Sequence, residues 1–195
     1  LSDACLVFVA APALSHAEFA RMTVPHIEKG AIVMVFTGGF GALEWYRQAR
    51  ESNRPLDFIL AETNTLPYAA RISGPREVRL LLELYEVAGA VFPAMHRDLV
   101  AQRFADIYPN IRFGRDLVET VLRNVNAVIH PPVMLMNIQH METASGAPWW
   151  IWRDGITPSV ARLIESVDTE RHALASAFGL EVPDAAEEQW RCGYG

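Results

Sequence analysis

Residues 31–50 read AIVMVFTGGFGALEWYRQAR, and this stretch decides the fold class. Ala31 to Phe36 is an unbroken apolar run of strand length, which suits a strand buried on both faces of a parallel sheet. Thr37-Gly38-Gly39 turns the chain, and a helix follows from Ala42 to Arg50 before Pro55 breaks it. The flanking segments repeat this order. Upstream, Cys5 to Ala10 is a second apolar run closed by Pro12. Ser15, with Glu18 three residues on, forms a capping-box signature for a helix reaching Ile27 and ended by Lys29-Gly30. Downstream, Asp57 to Ala61 is a third strand. Strand, helix, strand, helix, strand implies right-handed crossovers and a parallel sheet.

The pattern then changes. Tyr68 to Ser73 and Val78 to Tyr85 are strand candidates, the second also compatible with a helix. Pro93 to Ile107 reads as a helix closed by Pro109. From Asp116 the chain is helical. One long helix is expected from Asp116 to His130, resuming after Pro131-Pro132. Another spans Pro158 to Phe178, with Thr157 as cap and Gly179 behind it. The expected boundary at Phe113-Gly114 divides residues 1–113, an α/β unit, from residues 114–195, an all-α unit.

Composition bounds the function. The 195 residues are 51% hydrophobic and 21% charged, the profile of a globular chain with a sizeable core. A net charge of −6 and the lack of a basic run argue against a nucleic-acid partner. Cys5 and Cys192 read as reduced thiols, and no His/Cys cluster has metal spacing, so no metal is expected. No apolar run approaches the ~18 residues of a membrane span, and the amino-terminal residues carry no basic signal segment, so the expected location is cytoplasmic. The chain enters almost at once into an apolar run, which reads as a start inside a domain.

Three constellations bear on chemistry. Gly39-Phe40-Gly41-Ala42-Leu43-Glu44 begins like a dinucleotide fingerprint, and Glu62 ends the next strand at about the usual distance. Glu44 stands where the third glycine belongs, and its carboxylate would repel a pyrophosphate. The segment therefore reads first as a glycine-rich strand–helix turn. Glu62-Thr63-Asn64-Thr65-Leu66-Pro67-Tyr68 is a polar loop at a strand's carboxyl end, where function and self-capping are equally compatible with the residues. On a helical wheel Glu119, Arg123, Asn126 and His130 share one narrow face, with Asn137 in line. His130 next to a proline kink suits proton transfer near neutral pH, and the alternative is a solvated face. Asp168 to Arg171 reads as solvent-facing i,i+3 pairing. Trp149, Trp150 and Trp152 read as packing, as a pocket wall or as a docking surface.

Together these segments resemble the NAD/NADP octopine/nopaline dehydrogenase family, the opine dehydrogenases. The resemblance runs through VFVAAPALSH, GAIVMVFTGGFGALEW, LAETNTLPYAARISGP, ETVLRNVNAVIHPPVMLMN and ITPSVARLIESVDTERHALASAFGL to the final YG. It implies a partial Rossmann-type sheet followed by a helical substrate domain, an NAD or NADP cofactor, and reductive condensation of an amino acid with a 2-oxo acid. It implies that His130 is the catalytic proton carrier. Asn126, Asn137, Thr65, Tyr68 and Arg71 would be substrate residues, and Pro12, Thr37, Gly38 and Glu62 would lie near the cofactor. In the family the glycine fingerprint precedes the position of Leu1, and the acidic partner of the histidine follows that of Gly195. The 195 residues alone are therefore expected to be nearly inactive. A 2-oxo or 2-hydroxy acid reductase on the same fold and a non-catalytic interaction module are the alternatives, and a homodimer is a possible assembly.

Overall fold

Three apolar runs become three parallel strands: Leu6–Val9 (β1), Ile32–Val35 (β2) and Ile59–Thr63 (β3), paired Leu6 to Ile32 and Ile32 to Ile59. Every residue of β2 and β3 is buried, as a strand covered on both faces requires. Helices His16–Thr23 (α1) and Ala42–Glu51 (α2) connect them. One face of the sheet packs Val33, Val35 and Leu60 against Ala20, Val24 and Trp45. The other packs Ile32, Met34 and Ala61 against Val100 and Phe104 of Arg97–Phe104 (α3). The computed structural model describes residues 3–143, 146 and 148–194. These fall into two compact units, one running to Asn124 and including Arg191–Tyr194, the other Val125–Trp190.

Beyond β3 the sheet departs from the parallel expectation. Tyr68–Gly74 (β4) and Glu77–Glu83 (β5) form a separate two-stranded hairpin, and Val87–Phe92 (β6) then returns antiparallel to β3. A parallel neighbour needs a crossover helix, and a hairpin stands there instead. Ile111–Phe113 (β7) closes the order β1-β2-β3-β6-β7, parallel to β6. The sheet is therefore mixed. Neither β6 nor β7 is anticipated from the sequence, because Val-Ala-Gly-Ala-Val-Phe lacks the β-branched density of the first strands. Gly89 serves the strand by close approach, since a Cβ there would lie 2.9 Å from Ile111 Cγ2.

Two helix starts also differ from expectation. The Ser15 capping box does not form: Ser15 makes no side-chain cap, and α1 grows from the 3-10 turn Ala13–Ser15. The expected Asp116–His130 helix is two helices, Leu117–Leu122 (α4) and Asn126–Met136 (α5). Asp116 caps α4 by accepting from the Glu119 N–H at 3.0 Å, and Glu119 accepts in turn from the Arg115 N–H at 2.6 Å. The polar stripe through Glu119, Arg123, Asn126 and His130 is thus divided at residues 123–125. Nor does Pro131 end the helix: α5 continues through Pro131 and Pro132. With two N–H groups missing, the Ala127 and Val128 carbonyls receive no i+4 bond.

The second unit continues with Ile138–Thr143 (α6), Ile151–Asp154 (α7), Pro158–Ala177 (α8) and Ala185–Cys192 (α9), the last crossing back to the first unit at Arg191. Thr157 caps α8 as expected. Asp168 and Arg171 do not face solvent. Asp168 Oδ1 accepts from Arg171 Nε at 2.6 Å, Oδ2 accepts from the Ala185 N–H at 2.8 Å, and Arg171 Nη2 donates to the Pro183 carbonyl at 2.6 Å. This buried pair ties α8 to the start of α9. Burial pushes the Asp168 carboxyl up, but the Arg171 guanidinium, the Ala185 N–H and the charges of Arg171 and His172 outweigh it and hold the group below the ordinary aspartate value. The stability it supplies is present above that ordinary value and is lost as pH falls through the depressed folded value. Asp168→Ala is expected to cost about 3 kcal/mol, because it leaves a buried guanidinium without its counter-charge. Urea unfolding followed by helical circular dichroism measures it.

Candidate functional site

The carboxyl ends of β2 and β3 bring together Thr37, Gly38, Gly41 and Glu62, with the His16 ring against Gly41 and Pro12 at the end of β1. Glu62 is fully buried on β3, so its carboxylate must find donors. It finds them on the glycine-rich turn: Oε1 accepts from the Phe40 N–H and Oε2 from the Ala42 N–H, both at 3.0 Å. Ala42 opens α2, so the carboxylate sits at the helix's positive end on an otherwise unbonded N–H. Burial pushes the Glu62 carboxyl above the ordinary glutamate value, and the Ala42 and Phe40 N–H groups offset part of that rise.

The glycines follow from this contact. A Cβ on Gly38 would meet Glu62 Oε2 at 2.3 Å and Glu62 Cβ at 2.5 Å. A Cβ on Gly41 would meet His16 Nδ1 at 2.2 Å and the Gly38 carbonyl at 2.6 Å. Buried His16 donates through Nε2 to the Ala11 carbonyl at 3.1 Å. The N–H groups that a fingerprint reading would offer to a pyrophosphate thus hold the chain's own carboxylate. Glu44 points into an ion pair with Arg47 at 2.7 Å.

Thr37 stands out on the same turn. It adopts φ +58°, a conformation that is an outlier for a β-branched residue. Its N–H donates to Thr63 Oγ1 at 3.2 Å, and the Gly38 N–H donates to the Thr63 carbonyl at 2.9 Å. The Thr37 hydroxyl is buried and meets no partner within the protein. Backbone strain and a buried polar atom without a protein partner thus coincide in this one residue. Pro12 is exposed, and its carbonyl accepts from the Ser15 N–H at 2.8 Å.

The 62–71 loop has divided duties. Thr65 offers its carbonyl to Thr63 Oγ1 at 2.7 Å. Asn64, not singled out from the sequence as a site residue, accepts from the Ala88 N–H at 3.1 Å and donates to the Arg123 carbonyl at 3.0 Å, so it fastens α4 to β6. Tyr68 is exposed, with its ring 6.3 Å from Tyr108. Arg71 is exposed on the hairpin and donates to the Ala70 carbonyl.

In the second unit His130 lies exposed midway along α5, with the Trp152 ring edge-on at 4.8 Å and 84°. Asn126 is exposed at the first residue of α5. Asn137 donates to the Val133 carbonyl at 2.8 Å and the Gly155 carbonyl at 2.9 Å, joining α5 to the end of α7. A separate cavity of about 510 Å³ is lined by Ile129, Ile164, Asp168, His172 and Gln189, and by neither His130 nor the two asparagines. Among the described residues no group of three His, Cys, Asp or Glu could hold a metal ion, and no helix is long and apolar enough to cross a membrane.

Substitutions in the turn separate close contact from conformation. Gly38→Ala must displace Glu62 and is expected to cost about 2–4 kcal/mol, an overpacking term plus disturbed bonds to a buried carboxylate. Gly39→Ala meets no atom within 4 Å. Its cost is the left-handed strain alone, about 1 kcal/mol. Urea titration of both variants checks the order.

With this geometry established, comparison identifies relatives. Residues 114–195 match the family model described as NAD/NADP octopine/nopaline dehydrogenase, alpha-helical domain. The opine dehydrogenase of Arthrobacter sp. (strain 1C) is 32% identical over 188 residues, covering 96% of this chain and 52% of that protein. An octopine dehydrogenase solved with NADH and pyruvate superposes with a TM-score of 0.68 at 18% identity, over 91% of this chain and 46% of the other. A yersinopine dehydrogenase solved with NADP+ gives 0.72 at 12% identity, over 97% and 48%. This chain therefore spans about half the length of these relatives. The two solved structures establish the fold, a Rossmann-type sheet joined to an alpha-helical domain. Residues 114–195 thus match the helical domain of the octopine/nopaline dehydrogenase family, and the chain as a whole is similar in sequence to an opine dehydrogenase.

Proposed function

We propose that these residues serve an NAD(P)-dependent opine dehydrogenase reaction, the reductive condensation of an amino acid with a 2-oxo acid. The observation that carries this reading is the 32% identity to an opine dehydrogenase across 96% of the chain. The functional division we assign places nucleotide-side residues in 1–113 and the substrate-side helical domain in 114–195, where the family match begins.

A nicotinamide cofactor, contacted by Thr37, would supply hydride-transfer chemistry for reducing the imine. The chain's own residues handle position and protons. His130 exchanges a proton with the reacting amine or carbonyl centre, a role that suits an imidazole near neutral pH. The Trp152 ring lies edge-on to the imidazole at 4.8 Å. Asn126, Thr65, Tyr68 and Arg71 supply polar groups for the amino acid and oxo acid. Asn137 acts by fastening the end of α5, since its amide already serves two carbonyls.

The four cofactor assignments divide in the same way. Thr37 alone among them carries a buried polar atom with no protein partner, and it fits one polar contact from the cofactor. Gly38 and Glu62 shape and lock the turn beside it, and Pro12 borders the β1 end. The Phe40 and Ala42 N–H groups do not fit a pyrophosphate, because Glu62 occupies them. The 195 residues alone are therefore expected to bind cofactor weakly and to turn over little. A thermal shift near zero at millimolar NADH or NADPH would accord with this, since bound ligand stabilises by RT ln(1 + [L]/Kd).

The test of activity transplants residues 1–195 into the corresponding span of the Arthrobacter relative. NADH and NADPH oxidation is then followed with pyruvate and a panel of amino acids. Oxidation that requires both an amino acid and the oxo acid is expected, and oxidation with the oxo acid alone would instead indicate a simple reductase. His130→Ala in this chimera is expected to lower kcat by about 10²–10⁴. Unchanged turnover would remove His130 from the mechanism.

A further inference from the structure

The β4–β5 hairpin is a two-stranded sheet on its own, and two strands are marginal in water without a partner. Its exposed apolar side chains are large: Ile72 is 84% exposed, Val78 66% and Leu80 55%. The register explains how they group. Ile72 pairs with Val78 and Ala70 with Leu80, which puts these four on one face, while Arg71 pairs with Arg79 on the other. Two guanidiniums directly opposite each other repel. Every residue from Glu77 to Leu81 is exposed, and among the described residues no strand lies along the outer edge of β5.

The sequence of that edge is self-complementary. If two copies of β5 run antiparallel about a twofold axis at Val78, Val78 faces its own equivalent. Glu77 of each copy then falls opposite Arg79 of the other, and Arg76 opposite Leu80. Two cross-strand ion pairs arise by symmetry, each bringing a carboxylate to an arginine that has only Arg71 across from it within the hairpin. On the opposite face Ile72, Val78 and Leu80 of both copies become neighbours in one four-stranded sheet. One register shift, between Ile72 and Gly74, lies opposite the Val78–Glu77 step with its extra residue, Ser73, on β4. The other puts its extra residue, Leu81, on β5 just beyond Leu80, so β5 itself carries no inserted residue from Glu77 to Leu80. We infer that the free edge of β5 pairs with the β5 edge of a second copy of this chain, forming a homodimer centred on Val78.

The contact is small, so a weak and concentration-dependent dimer is expected. Sedimentation velocity of the 195-residue chain up to about 500 µM covers the range in which interfaces below ~1,200 Å² associate. Glu77→Arg places Arg opposite Arg79 and is expected to weaken the dimer at least ~10-fold, since both symmetric pairs change sign. The double variant Glu77→Arg/Arg79→Glu restores opposite charges at both positions and is expected to recover dimerisation. Circular dichroism confirms that the variants remain folded. A chain that stays monomeric throughout the range overturns the inference. So does a dimer indifferent to Glu77→Arg, or a double variant that fails to recover while still folded.

Discussion

A single buried carboxylate organises the first unit. Glu62 has left water completely, and the Phe40 and Ala42 N–H groups donate to its carboxylate. Desolvation of a charge is costly unless hydrogen bonds replace its hydration. The turn between β2 and α2 is built around that need. Gly38 is glycine because Glu62 fills the space of its side chain, and Gly41 because the His16 ring and the Gly38 carbonyl fill that of its own. Thr37 is drawn into a left-handed conformation while its N–H and that of Gly38 bond to Thr63. The chain's own anion thus stands where a nucleotide phosphate would be held in a dinucleotide fingerprint. This is why the glycine-rich turn and the strand-end acid can share one sequence pattern with a cofactor cradle and still perform a structural task.

The second unit is held by different means. One of its apolar clusters has Val125, Val128 and Ala185 buried and Ile129, Ile164 and Val167 partly so. Much of the order at its end comes from Asp168 and Arg171, which bind the backbone of Pro183 and Ala185 and so direct the chain from α8 into α9. Asn137 does a comparable job at α7 through the Gly155 carbonyl. The proline pair in α5 leaves two carbonyls without helical donors in the turn before His130. Local loosening of the backbone beside a residue assigned to proton transfer is a common accompaniment of function.

How much of this was legible from the sequence depended on whether local residues or distant ones decided the outcome. Strands β1, β2 and β3 were readable because a continuous apolar run has few other uses in a short segment. Helix α8 was readable because its cap, Thr157, lies next to it. Strand β6 was not, since its place in the sheet depends on pairing with β3 and on Ile111 approaching Gly89. The single helix expected from Asp116 to His130 failed for a tertiary reason. Arg123 is held through its side chain by Glu86 at 2.8 Å and through its carbonyl by Asn64, and α4 stops there. Spacing showed that Asp168 could pair with Arg171, but not that Pro183 and Ala185 would fold over the pair. At the candidate site the glycine-rich turn was legible as a turn. The partner that fills it, Glu62, was legible only as a strand-end acid, because no local rule says where its oxygens point.

The account stands or falls on the bond between Glu62 and the start of α2. The direct measurement is an NMR pH titration that follows the backbone amide resonances of Phe40 and Ala42 together with the Glu62 side-chain carboxyl. If the carboxylate is bonded to both N–H groups, the two amides shift in concert with the carboxyl, at one midpoint above the ordinary glutamate value. Amides that stay flat while Glu62 titrates, or a Glu62 midpoint at or below that of an exposed glutamate, would contradict it.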